Sequence, residues 1–166
     1  MAKRKNLSAA ANELPAAKGM RIAIVVSEWN HEVTDALYQG ALATLLKSGC
    51  KVKDIQRIAV PGSYELPSGA ALMCSRKNVD AVICLGCVIQ GETRHFEFIC
   101  QAVANGLVNV SLKYDKPVIF GVLTTDNFQQ AKARSGGEHG NKGVEAAATA
   151  IRMTALYSEN RKSRRS

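Results

Sequence analysis

Short apolar runs alternating with helix-like segments predict an α/β domain: one three-layer fold, with a four-stranded parallel sheet and helices on both faces. Three observations carry this. The runs at 21–27, 80–86 and 118–125 are nearly continuous in apolar residues, as strands covered on both faces are. Between them lie segments with apolar residues at helical spacing. The chain has 166 residues, 46% of them apolar, which suits a single domain with a substantial core.

The elements follow in order. "RIAIVVS" (21–27) reads as the first strand. Residues 31–48 place Val33, Leu37, Ala41, Leu45 and Leu46 on one helical face, and Gly49 is a fitting stop. A second strand is expected over 51–60, with apolar residues at 52, 55, 58 and 60. After the "PGSYELP" loop, 66–76 reads as a short helix with Ser68 or Gly69 near its start. "DAVICLG" (80–86) is the third strand, and the loop "CVIQGET" leads into an amphipathic helix over 94–114. Pro117 cannot continue that helix. "VIFGVLTT" (118–125) is the fourth strand, followed by a short helix at about 127–134, the glycine-rich loop "SGGEHGNKG" and a last helix over 144–158. The organisation expected is a mobile basic arm at 1–19, a folded domain at 20–157 and a basic tail at 158–166.

Composition narrows the function classes. The net charge is +8, but residues 1–20 and 158–166 each carry four basic residues against one glutamate, a net +3 apiece. The body between them is nearly neutral, whereas a nucleic-acid reader more often carries its basic face on the folded part. No apolar run is long enough to span a bilayer, and the first residues lack the apolar core of a secretory signal. Five cysteines, an odd number, fit reduced thiols in the cytoplasm. Cys84 and Cys87 form a CxxC, but no second pair completes a zinc site, so packing cysteines are expected.

The chemically unusual residues all follow strands: "EWNH", "PGSYE", "GCVIQGETRH" and "TTDN". Ligands in open α/β sheets bind at the carboxyl ends of the strands, so four loops point to one rim. Each candidate also has a plainer reading. "QGET" before a helix offers backbone N–H groups and a positive dipole end to a phosphate or carboxylate; an ordinary N-cap by Glu92 or Thr93 competes. His95, on the first helical turn, is the side-chain type best suited to proton transfer near neutrality; a surface histidine competes. Trp29, beside Asn30, could stack on a planar heterocycle or pack in the core. Glu65 could accept hydrogen bonds from ligand hydroxyls or be solvated. Arg134 and Lys142 flank the glycine loop as phosphate ligands would, although Lys142 and Glu145, three apart, could simply pair. Together these residues imply a small, anionic, planar or hydroxylated ligand without naming a reaction.

Five ordered motifs name one. "SEWN", "VPGSYELP", "GCVIQGETRHFEFI", "PVIFGVLTTDN" and "GNKGVEAA" make the chain resemble the lumazine synthases of riboflavin biosynthesis over roughly residues 20–157. The resemblance implies a flavodoxin-like fold. It also implies condensation of 5-amino-6-(D-ribitylamino)uracil with 3,4-dihydroxy-2-butanone 4-phosphate, giving 6,7-dimethyl-8-ribityllumazine, phosphate and water. It implies no metal or organic cofactor. By the same resemblance Trp29 and Asn30 meet the pyrimidine, and Ser63, Tyr64 and Glu65 hold the ribityl chain and ring edge. The backbone of Cys87, Val88 and Ile89 binds the heterocycle. Gly91, Glu92 and Thr93 hold the phosphate with Arg134, and His95 moves protons. Phe120, Arg134 and Lys142 come from a neighbouring subunit. The assembly implied is a homopentamer, and a 60-subunit icosahedral shell is expected because the glycine loop carries no insertion. Riboflavin synthase is a candidate partner for such a shell, and no nucleic-acid or membrane partner is implied. Trp29 stands where phenylalanine is frequent in the family, and Phe98 where tyrosine is. A flavin- or nucleotide-binding module, a self-assembling scaffold and polyanion binding through the basic tails are the rival readings.

Overall fold

Two strands, β1 (Ile22–Ser27) and β3 (Ala81–Ile89), form the middle of the sheet in the computed structural model, which describes residues 14–163. β2 (Ile55–Val60) lies outside β1, and β4 (Val118–Thr125) lies outside β3, giving the order β2-β1-β3-β4 with every pair parallel. This is the expected α/β, flavodoxin-like arrangement.

Alternation along the strands separates two cores. Ile22, Ile24 and Val26 of β1 and Ile83, Leu85 and Cys87 of β3 face α1 (His31–Lys47) and its core residues Val33, Leu37 and Leu45. The opposite side chains, Ala23, Val25, Val82 and Cys84, face α2 (Leu66–Cys74) and α3 (His95–Tyr114) through Leu66, Met73, Val103 and Leu107. α4 (Phe128–Ala133) and α5 (Lys142–Ser163) join α1 on the first face, with Ala131, Ala147 and Ile151 buried. Ile22, Ile24, Ile83 and Leu85 are 0–1% exposed. Full burial of such a side chain stabilises by about 1.5–3 kcal/mol, which is why strands of this composition take the centre.

Below the sheet's amino end Arg21 clamps Asp80. Its backbone N–H donates to Oδ2 at 2.9 Å, Nε to Oδ2 at 3.1 Å and Nη2 to Oδ1 at 2.6 Å. Burial pushes the Asp80 carboxyl up, but the Arg21 hydrogen bonds and charge outweigh it and hold the group below its ordinary value. Lys116 donates from Nζ to the Cys74 and Arg76 carbonyls at 2.8 and 2.6 Å, satisfying the end of α2 from across the α3–β4 turn.

Element boundaries differ from expectation where a residue's role is local. The second strand begins at Ile55, because 52–54 form a 3-10 turn that leaves Val52 71% exposed. α2 begins at Leu66 as expected, with Pro67 in its first turn, but ends at Cys74 rather than at 76. The third strand runs to Ile89, so Cys87, Val88 and Ile89 belong to a strand and not to a loop. The glycine-rich loop forms a small antiparallel hairpin, β5 (Ser135–Gly137) and β6 (Gly140–Asn141). The last helix starts at Lys142, ahead of the expected 144, and continues to Ser163 through most of the basic tail.

Residues 1–13 of the expected N-terminal arm, and 164–166 of the tail, lie outside the described residues. Of the remainder of the arm, Leu14 packs against the first core and Ala17 is fully buried, its N–H donating to Ser48 O at 2.7 Å. Cys84 and Cys87, three apart on a strand, face opposite cores and both remain free thiols. Burial pushes both thiols up, Cys87 to about 11. No described helix is long and apolar enough to cross a membrane.

Candidate active site

The strand order reverses between β1 and β3, since α1 leads outward to β2 and the chain then returns past β1 to β3. A crevice opens at the carboxyl ends of strands flanking such a reversal. A cavity of about 430 Å³ lies there. Trp29 and Asn30 reach it from the end of β1, Gly62 through Glu65 from the end of β2, and Cys87 through Ile89 from the end of β3. His95 and Ile99, one turn apart on α3, close its side.

Each lining residue has a local reason for its place. Asn30 sits in the left-handed region (φ 57°, ψ 46°), which asparagine tolerates better than most residues. It does not cap α1 with its side chain. Its Nδ2 instead donates to Cys87 O at 3.0 Å, tying the rim of β1 to the rim of β3. The loops after β1 and β2 are joined by backbone: Glu28 N donates to Val60 O at 2.9 Å and Trp29 N to Pro61 O at 3.2 Å. Ser63, Tyr64 and Glu65 form a 3-10 turn, and Glu65 Oε2 accepts from Gly62 N at 2.9 Å. That bond engages one carboxylate oxygen of Glu65 within the turn. Trp29 is 72% exposed and Tyr64 59%, so both aromatic faces are available at the rim and neither serves the core.

Beneath the cavity, Gly86 permits a close approach. A side-chain carbon there would come within 2.6 Å of Ser63 Oγ, 2.9 Å of Leu66 Cδ1 and 3.3 Å of Ser27 Oγ. The Ser27 and Ser63 hydroxyls are buried without a protein partner, a polar floor under an otherwise apolar pocket.

α3 begins beside the cavity. Gly91, Glu92, Thr93, Arg94 and His95 are exposed. Neither Glu92 nor Thr93 is the N-cap; Arg94 holds that position without a side-chain cap. Thr93 Oγ1 accepts from His95 N at 3.4 Å. Glu97 N donates to Arg94 O at 3.1 Å, so two first-turn N–H groups are used locally, and the positive end of the 20-residue helix lies among exposed residues at the rim.

Six predicted site residues do not line this cavity within one chain: Gly91, Glu92 and Thr93 lie on the exposed stretch between β3 and α3, and Phe120, Arg134 and Lys142 lie farther off. Phe120 sits on the edge strand β4 in register with Cys84, five residues before the strand's end and roughly 16 Å below the rim. It is 38% exposed. Arg134 and Lys142 bracket the β5–β6 hairpin, joined by Lys142 N to Arg134 O at 2.9 Å. The hairpin packs on the α1 face, across the sheet from His95. Lys142 Nζ pairs with Glu145 Oε2 at 3.0 Å, and Arg134 is exposed. Gly62 and Ile99 line the cavity without having been singled out in the sequence. Ile99 carried a usable signal, the i+4 spacing from His95. Among the described residues no group of three or more His, Cys, Asp or Glu side chains is arranged to hold a metal ion.

The family model described as 6,7-dimethyl-8-ribityllumazine synthase matches residues 19–158 of the chain. A protein of that name from Cytophaga hutchinsonii is 58% identical over 151 residues, covering 91% of this chain and 95% of the relative. Its namesake from Flavobacterium johnsoniae is 53% identical over 142 residues, 86% of this chain and 75% of the relative. That from Parabacteroides distasonis is 51% identical over 142 residues, 86% and 89% of the two chains.

The floor generates a prediction. Gly86→Ala drives a methyl group into Ser63 Oγ and Leu66, lowering stability by about 1–3 kcal/mol and shrinking the cavity. Denaturant titration against the parent reads this; an unchanged midpoint contradicts the packing described.

Proposed function

The chain belongs to the 6,7-dimethyl-8-ribityllumazine synthase family, transferases of riboflavin biosynthesis, and on that premise we propose the substrates, residue roles and assembly that follow. The substrates are 5-amino-6-(D-ribitylamino)uracil and 3,4-dihydroxy-2-butanone 4-phosphate; the products are 6,7-dimethyl-8-ribityllumazine, phosphate and water. One observation carries the reading. The cavity at the strand reversal joins an exposed indole, a strand end and an imidazole beside an open helix start.

Trp29 stacks on the pyrimidine while the backbone of Cys87, Val88 and Ile89 meets its edge, and Asn30 holds that backbone in place. Ser63, Tyr64 and Glu65 take the ribityl chain. The stretch just before α3, at Gly91, Glu92 and Thr93, receives the phosphate, where the helix dipole favours an anion. His95, the first residue of α3, serves the carbon skeleton attached to that phosphate.

The chemistry calls for these types. The pyrimidine's amine attacks the ketone, and the carbinolamine loses water. Phosphate then leaves, and ring closure releases a second water. Each step moves a proton, which His95 can relay. The departing phosphate needs compensating charge, supplied by the helix start and Arg134. Holding two substrates in register supplies much of the acceleration.

Phe120, Arg134 and Lys142 reach the cavity from a second copy of the chain. Their distance from their own cavity supports this, as does the exposed apolar surface on α3, where Phe98 and Leu112 are 67% and 74% exposed. An apolar surface of this kind suits burial between copies. The assembly proposed is a pentamer built further into a 60-subunit icosahedral shell, able to house riboflavin synthase. The setting proposed is the cytoplasm, which keeps five free thiols reduced.

Mixing both substrates with the protein should produce the lumazine's absorbance with phosphate release in step. Neither signal appearing refutes the proposal. In single-turnover kinetics His95→Ala should slow the reaction by about a hundredfold or less; an unchanged rate removes the histidine from proton transfer. Arg134→Ala should raise the KM for the phosphate substrate about tenfold or more while sparing that for the pyrimidine. Sedimentation should show a species far larger than five subunits, and a boundary at five subunits alone excludes the shell.

A further inference from the structure

We infer that Asn141 is a positioning residue for the phosphate substrate, acting through Arg134 and Lys142; this rests on the proposal that those two cations serve the site. Asn141 is joined directly to Lys142 at the open end of the hairpin. Its amide uses its whole hydrogen-bonding capacity. Nδ2 donates to Ala36 O of α1 at 2.9 Å and to Ser135 O at 3.1 Å. Oδ1 accepts from Gly143 N at 2.8 Å and Val144 N at 3.3 Å. Two donors and two acceptor positions are all that a carboxamide has.

The geometry gives this side chain three connections at once. It caps the first turn of α5, which starts at Lys142. It holds β5 at Ser135, the residue after Arg134. It also anchors both to α1, 105 residues away in sequence. The space around it is cleared by glycines. A side-chain carbon at Gly40 would come within 2.5 Å of Asn141 Oδ1, and one at Gly143 would collide with Leu37 O. The two cations therefore leave a hairpin whose mouth is fixed to the fold at one amide. Arg134 itself is exposed and forms part of no other described ion pair that would orient it.

Two substitutions probe this by different routes. Asn141→Asp keeps an acceptor for Gly143 and Val144 but turns the donor into an oxygen facing two carbonyls. Gly40→Ala leaves Asn141 in place and pushes its side chain away. Steady-state KM is measured for each substrate separately, well below each variant's melting midpoint, beside Arg134→Ala. Either variant should raise the KM for the phosphate substrate about tenfold and change that for the pyrimidine by less than about twofold. Should neither variant that folds show this split, or should both KM values rise together, Asn141 has only a structural role and the inference is overturned. Should Arg134→Ala itself leave the phosphate KM unchanged, the proposal beneath the inference falls and takes it along. A raised phosphate KM in Arg134→Ala alone defeats the inference only.

Discussion

The burial of β1 and β3 on both faces is the constraint on which the rest of the molecule depends. Strands whose side chains on either face are almost fully removed from water need a helical layer on each side. Parallel strands need crossover connections, and the helices supply both requirements. With α1 crossing on one face and α2 and α3 on the other, the order must reverse between β1 and β3. Every strand then delivers its carboxyl end to the same rim. The cavity is a consequence of that reversal, and the loops only furnish it.

Two asparagines convert this layout into fixed distances. Asn30 ties the ends of the two central strands together across the crevice, at 3.0 Å to Cys87 O. Asn141 ties the hairpin to α1. Both donate side-chain amide hydrogens to backbone carbonyls of other elements. Such bonds matter most where water is absent, because an unmet buried carbonyl costs about 1–3 kcal/mol. At the rim, the strand ends are therefore held together by the Asn30 amide and by backbone bonds between the loops after β1 and β2. The same rigidity leaves Phe120 and Arg134 where their own cavity cannot use them, which is the physical argument for a site completed by another copy.

Most of the fold was legible because burial writes itself into composition. The four strands and the long helices were readable from apolar continuity and spacing. The misjudged boundaries share a cause: a residue whose local signal differs from its tertiary role. Gly86 reads as a strand end, yet the strand continues because the glycine makes room for Ser63 and Leu66. Val52 reads as a strand residue, yet it is exposed on a 3-10 turn. "SGGEHGN" reads as loop, and the hairpin it forms is tied through Asn141 to α1, 105 residues away and outside any short window. The site was legible as a rim from the loops after β1, β2 and β3, whereas the "TTDN" loop after β4 does not line the cavity; the family was legible from five motifs. What the residues alone could not give was which face of the sheet each candidate would occupy. That separates His95 from Arg134 and Lys142.

The central claim, that one chain's cavity is completed by cations of another, is tested most directly by mixing two inactive forms. Ile89→Arg blocks the cavity, and Arg134→Glu removes the cation. Each alone should be inactive at low substrate. Refolded together in equal amounts, they should form some sites with an open cavity from one chain and an intact arginine from the other. Random assembly predicts about a quarter of the parent activity. No recovery in mixed assemblies whose co-assembly is verified would place both groups in a single chain's site and contradict the account.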